Sequence, residues 1–266
     1  MPHTAKVAYA LSEHWREALI VAVPLALLAL AFAVEPIAQD PAYHQFADRR
    51  DFFGVPNALN VASNLAFLAV GVAGIARGMR SGLTGARWAW MTLFSGALLV
   101  ALGSGYYHWA PDSKALVWDR LPMTLGFMGL FVALLAEYVD ERLEKPLLVP
   151  ALVLGAASVL WWRLSGDLRF YAWVQFMPLV TLPLLVALFR GRYTGRAYLL
   201  YGLACYVGAK IAEALDRPVL EASGGWVSGH TLKHLLAALA LFFVYLMLRR
   251  RERIDFEIGE ARARAQ

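Results

Sequence analysis

The chain has 266 residues, 59% of them hydrophobic and 17% charged, with a formal net charge of +5 and a mean hydropathy of +0.51. A soluble globular domain carries roughly 45–50% apolar and about 25% charged residues, so the composition argues against a water-soluble globule. Cys205 is the only cysteine, which excludes an internal disulfide and a cysteine-rich metal site, and the basic residues are dispersed between apolar blocks rather than gathered into a nucleic-acid-binding patch.

The apolar excess falls into blocks of roughly 17–22 residues, the length a helix needs to cross ~30 Å of hydrocarbon. The bilayer core offers the backbone no hydrogen-bond partner, so each block reads as a helix. The first block, 18–34, follows a polar stretch containing Glu13, His14, Arg16 and Glu17. No small-residue cleavage site clearly trails it, so it reads as a retained span and not as a signal peptide. Spans at 59–76, 88–107 and 121–138 follow, and the second half gives 147–162, 170–189, 197–215 and 231–248. The connections are short and no low-complexity linker divides the chain. The expectation is an all-α membrane protein, a single transmembrane domain over 1–266 with about eight spans.

Basic residues give the orientation. Arg77, Arg80 and Arg87 follow the second span, Arg142 and Lys145 the fourth, Arg190, Arg192 and Arg196 the sixth, and Arg249, Arg250, Arg251 and Arg253 the eighth. With alternating spans they share one side, which predicts that this side and both termini are cytoplasmic. Arg49, Arg50, Arg163 and Arg169 fall on the other side, partly offset by Asp48, Asp51 and Asp167. The compact, Ala- and Arg-rich chain suits a bacterial inner membrane. His108 ends the third span, Asp119 precedes the fourth, and His230 and His234 open the eighth, so all four are expected at the outer, periplasmic face.

His230 and His234 are spaced i, i+4, which puts two imidazoles on one helix face, roughly 5–6 Å apart at Cβ. Ionisable groups at membrane depth are expensive and usually functional, although a pair at the headgroup level could also serve only as hydrogen-bonding polar residues. His108, in the run Gly103-Ser104-Gly105-Tyr106-Tyr107-His108, adds a third nitrogen ligand. Three histidines leave zinc an open fourth position, the arrangement of catalytic sites. Of the six histidines, His3, His14 and His44 read as surface residues, with His44 a reserve ligand. Asp119 has two readings, an N-cap with Pro122 in the first helical turn or a carboxylate that orients or deprotonates a water.

At these residues the chain resembles the alkaline ceramidases and the wider membrane-hydrolase superfamily that includes the adiponectin-receptor group. Asn60-Val61-Ala62-Ser63-Asn64-Leu65 is similar to the asparagine–serine–asparagine stretch of that family's first core helix. Gly103 to His108, with Trp118-Asp119 and Leu121-Pro122-Met123, is similar to its serine–histidine–aspartate block, and His230 with His234 to its closing histidine pair. The resemblance implies a seven-helix bundle over 57–249, an extra N-terminal helix at 18–34 and a cytoplasmic tail at 250–266. It implies zinc on His108, His230 and His234, with Asp119 and Ser104 at the reacting centre, and hydrolysis of the amide of a ceramide-like or other N-acyl lipid. Two features depart from the family. Asn57 stands where a calcium-binding glutamate would be, which argues against Ca2+, and Lys233 lies between the paired histidines with Lys210, Glu213 and Asp216 nearby. Lys233 reads either as an ion-pair partner of Glu213 or Asp216, or as a substrate-binding contact to a lipid headgroup.

The expected reaction is attack of a zinc-activated water on a lipid amide, with Asp119 as base and Ser104 donating a hydrogen bond to the developing oxyanion. A receptor-like or signalling protein with a structural zinc is the competing reading. A transporter or a haem protein ranks below both, because axial haem histidines usually come from opposed helices.

Overall fold

The computed structural model describes residues 14–80 and 83–254, and they form helices joined by turns and by one longer segment at 34–57. Every expected span is helical. In chain order the helices are α1 (Trp15–Ala33), α2 (Ala58–Ser63), α3 (Leu65–Met79), α4 (Arg87–Trp109), α5 (Ala115–Tyr138) and α6 (Glu144–Ser165). They continue with α7 (Arg169–Leu188), α8 (Arg196–Ala214), the short α9 (Asp216–Ala222) and α10 (Gly229–Arg250). With α2 and α3 taken together, seven helices among the described residues are long and apolar enough to cross a membrane. The remaining long helix, α8, has 19 residues but carries Lys210 and Glu213 and falls outside that set. The chain is therefore an all-α, multi-pass membrane protein. His3, the first residues of the N-terminal segment and the tail beyond 254 lie outside the described residues.

The helices close into a ring in which α10 packs on α3, α3 on α4, α4 on α5, α5 on α7, and α8 back on α10. Contact between α7 and α8 is sparse by comparison, while α6 covers α5 and α7 from outside. The most enclosed helix is α5, with Met128, Val132, Ala133 and Leu134 wholly buried. It approaches α4 closely because both carry glycine at the crossing. A Cβ on Gly96 would stand 2.6 Å from the Gly126 nitrogen, and one on Gly129 2.8 Å from the Leu93 nitrogen. Small residues are what membrane helices use to bring backbones together.

Two local features correct the sequence reading. The second span is not one helix, because α2 and α3 break at Asn64. There the Ser63 hydroxyl and the Asn64 side-chain amide both donate to the Asn60 carbonyl, at 2.9 and 2.8 Å, competing with the backbone ladder. The fourth span begins earlier than expected, at Ala115, so Asp119 lies inside the helix and does not cap it. Asp112 takes that role, accepting from the Lys114 and Ala115 amides at 2.8 and 2.6 Å. Pro122 sits one turn beyond Trp118 and has no N–H to give it, and the free Trp118 carbonyl is accommodated against Gly103, where a side chain would collide with it.

The end of the bundle remote from the histidines is held by an ion pair. Arg251 meets both carboxylate oxygens of Glu137, at 2.7 and 2.6 Å, and the Trp90 indole donates to the same carboxylate at 2.6 Å. At the histidine end, two of the arginines that ran against the charge pattern are neutralised, Arg50 by Asp48 at 2.7 Å and Arg169 by Asp167 at 2.8 Å.

The second of these pairs also fastens α1. That helix lies on the outside of the bundle against α7, where the Trp173 indole donates to the Pro24 carbonyl at 2.8 Å. Its exit strand is tied to the α6–α7 turn, because the Leu168 amide donates to the Ile37 carbonyl at 2.8 Å and Arg169 reaches the Val34 carbonyl. Hydrogen bonds from Arg169 hold the Asp167 carboxyl down at about 2. A carboxylate depressed in the folded state stabilises above its unfolded value of ~3.9, and that contribution disappears as pH falls towards ~2. Asp167→Asn is accordingly expected to lower the melting temperature in detergent by a few degrees at pH 7, about 1–2 kcal/mol. Melting curves at successive pH values should show the difference from wild type closing between pH ~4 and ~2.

Candidate metal centre and its cavity

Two helices deliver the three histidines to one point. His108 is in the last turn of α4, and His230 and His234 occupy the first two turns of α10, behind the Ser228 cap whose side chain accepts from the Thr231 amide at 3.1 Å. All three are buried, and one nitrogen from each lies within 4.8 Å of the others. The Nε2 atom of His108 is 3.2 Å from that of His234 and 3.3 Å from that of His230. Two nitrogens bound at ~2.0–2.1 Å to one zinc, about 109° apart, stand ~3.3–3.4 Å from each other. These two separations match those of ligands around a tetrahedral ion, and three imidazole nitrogens are donors that suit zinc.

Hydrogen bonding fixes which nitrogen of His234 is free. The Ser63 hydroxyl has one proton and gives it to the Asn60 carbonyl, so it accepts from His234 Nδ1, 2.7 Å away. Proton on Nδ1 leaves the Nε2 lone pair for a metal. Asn60 is held in turn by the Thr231 hydroxyl, which donates to its side-chain oxygen at 2.7 Å. Partners of this kind are worth 10–100-fold in metal affinity. Ser63→Ala is expected to weaken zinc binding by about that factor without unfolding the bundle, read by competition with a chelating dye.

Other contacts set the remaining walls. Phe46, in the segment between α1 and α2, places its ring centroid 4.7 Å from both His108 and His230 and closes the triad from outside. Asp216, at the start of α9, accepts from the His230 amide at 2.7 Å and from the Ala47 amide at 2.8 Å, so one carboxylate holds both the histidine and the segment that covers it. The Asn57 side chain donates to the His108 carbonyl at 2.9 Å and ties the start of α2 to the end of α4. His44 is not in the cluster, since its ring nitrogens meet the Tyr107 hydroxyl at 2.9 Å and the Ser113 hydroxyl at 3.2 Å.

A cavity of about 300 Å³ opens below the triad inside the helix ring. His234, Ser104, Asp119 and Lys233 share its polar end, and Leu93, Phe127, Leu130 and Val244 are among the apolar residues of the remainder. Leu93 lies eleven residues before Ser104 on α4, ~16 Å along the axis at ~1.5 Å per residue. Lys233 pairs with Glu213 at 2.8 Å, and Glu213 also takes Lys210 and the Tyr43 hydroxyl. The ion-pair reading of Lys233 is thus met by Glu213, and Asp216 serves backbone amides instead. Asp119 forms no ion pair among the described residues.

The structure brings together His108, His230 and His234, and places Ser104, Asp119 and Lys233 on the wall of one cavity with His234. Sequence reasoning missed the roles of Ser63, Phe46 and Asp216. Only Ser63 carried a signal, as the hydroxyl between two asparagines in a membrane span. No protein-family model matches the chain, and no curated protein matches it significantly.

Proposed function

We propose that the protein is an integral-membrane, zinc-dependent hydrolase that cleaves the amide of a ceramide-like or other N-acyl lipid. The observation that carries this reading is the convergence of three histidine Nε2 atoms at the polar end of an elongated apolar cavity whose wall also holds Asp119 and Ser104. His108, His230 and His234 would hold the ion. Zinc in such a site supplies a Lewis acid and lowers the pKa of water bound to it towards ~7.

The chain's own residues do the rest. The apolar wall takes the acyl chain and keeps bulk water from the reacting end. Asp119, on the cavity wall and in no ion pair among the described residues, accepts the proton of the attacking water and returns it to the departing amine. Ser104, buried on the same wall, donates a hydrogen bond to the carbonyl oxygen as it gains charge, an interaction worth ~2.7–4 kcal/mol where such donors have been removed. The basic residues that cluster at the end remote from the triad support a cytoplasmic placement of that end and of both termini, with the site at the periplasmic face of a bacterial inner membrane.

Chelator-treated protein tests the reading. It should lose cleavage of N-acyl lipids and recover it when zinc is returned. Stoichiometric zinc with no turnover on any N-acyl lipid or ester would favour a receptor-like protein in which the metal is structural.

A further inference from the structure

Arg120 follows Asp119 on α5, is 5% exposed, and lines the same cavity. Its guanidinium lies over the rings of Trp162, Tyr171 and Tyr43, at 4.0, 4.7 and 5.8 Å from their centroids. Guanidinium N–H groups point along its plane, so a side chain enclosed by rings has only its edge for hydrogen bonds. On that edge Nη2 donates to the Gln39 side-chain oxygen at 2.6 Å, while Nη1 is buried with no partner. Buried donors are nearly always satisfied, and an exception calls for a cause.

Charge points the same way. The cavity wall carries Arg120, Lys210 and Lys233 against Asp119 and Glu213. Glu213 engages both lysines, and Arg120 forms no ion pair among the described residues. Three cations against two carboxylates leave the wall one positive charge in excess, and a buried excess charge is expensive unless a ligand compensates it.

We propose that Arg120 binds the carboxylate of a single-chain acyl lipid lodged in this cavity. The carboxylate belongs either to an N-acyl amino acid or to the fatty acid that its cleavage releases. One excess positive charge matches one negative charge, whereas a phosphate monoester carries nearly two. Asp119 and Arg120 line the same cavity, so the anion and the bond under attack can belong to one ligand, as they do in an N-acyl amino acid. This names the substrate class of the hydrolase proposed above and rests on that reading only for the identity of the cleaved bond.

The test is equilibrium binding of tritiated N-oleoylglycine, oleic acid and N-oleoylethanolamine to metal-stripped protein in a neutral detergent, where no cleavage intervenes. Wild type is compared with Arg120→Gln and Arg120→Lys, and the mutant-to-wild-type ratio for each lipid cancels unequal partition into the micelle. Arg120→Gln should weaken at least one carboxylate lipid tenfold or more relative to the ethanolamide, with Arg120→Lys retaining part of the difference. Loss for N-oleoylglycine assigns the carboxylate to the substrate, and loss for oleic acid alone assigns it to the product. Equal effects on all three lipids, or none, would overturn the proposal. If Arg120→Gln does not fold, as judged by its melting curve, the same ratio in Arg120→Lys decides. Turnover is measured separately, so an inactive protein that still prefers the carboxylate would sink the hydrolase and leave this site standing.

Discussion

Asp119→Asn is expected to keep the zinc content of the wild type and to lower kcat by about 10²–10⁴-fold, the range associated with a positioned general base. Asparagine is close in size and shape to aspartate, so the helix and cavity should survive. The structure gives a reason to expect the whole effect in chemistry and not in folding. The cap at the start of α5 belongs to Asp112, and Asp119 holds no ion pair among the described residues whose loss would destabilise the bundle. A fall in kcat with little change in KM would mark an interaction made in the transition state. A variant that keeps wild-type kcat would remove Asp119 from the mechanism.

His234→Ala is expected to abolish stable zinc binding while leaving a folded, helical protein. Structural zinc sites bind with apparent energies of ~10–16 kcal/mol, so one ligand is worth about 3–4 kcal/mol, or ~10²–10³-fold in affinity. His234 is the sharpest choice because Ser63 fixes its tautomer and it also reaches the cavity wall. His44→Ala is the control: its nitrogens contact Tyr107 and Ser113, so zinc should be retained. Elemental analysis of the two purified variants, with circular dichroism to follow helix content, checks both. Equal zinc in both variants would show that the ion, if bound, is held elsewhere.

The helices and the His230–His234 pair were legible in the sequence for one reason, namely that both depend on local spacing, whereas His108 joins the pair from 122 residues away. Hydrophobic blocks of bilayer length mark spans, and i, i+4 places His230 and His234 on one face before any tertiary structure is known. What surrounds the ligands was not legible, because it is built across the chain. Ser63 meets His234 across 171 residues and Asn57 meets His108 across 51. Phe46 closes the triad from a segment whose local sequence reads only as loop. Asp119 was placed too near the helix start, because Pro122 looks like a first-turn proline. The structure puts it deep enough for Gly103 to receive the carbonyl that the proline leaves free. Lys233 and Glu213 were expected as one of two possible pairs, and only the packing of α8 on α10 selects between Glu213 and Asp216.

We propose that the three buried histidines hold a zinc ion used for hydrolysis. The measurement that bears on it most directly is zinc per chain in detergent-purified wild-type protein, with N-acyl lipid cleavage assayed on the same sample. The expected result is about one zinc per chain at a site with three nitrogen ligands and cleavage that follows the zinc through stripping and restoration. Folded protein that stays free of zinc after zinc is supplied, or that cleaves the amide equally well without it, would rule out a zinc hydrolase.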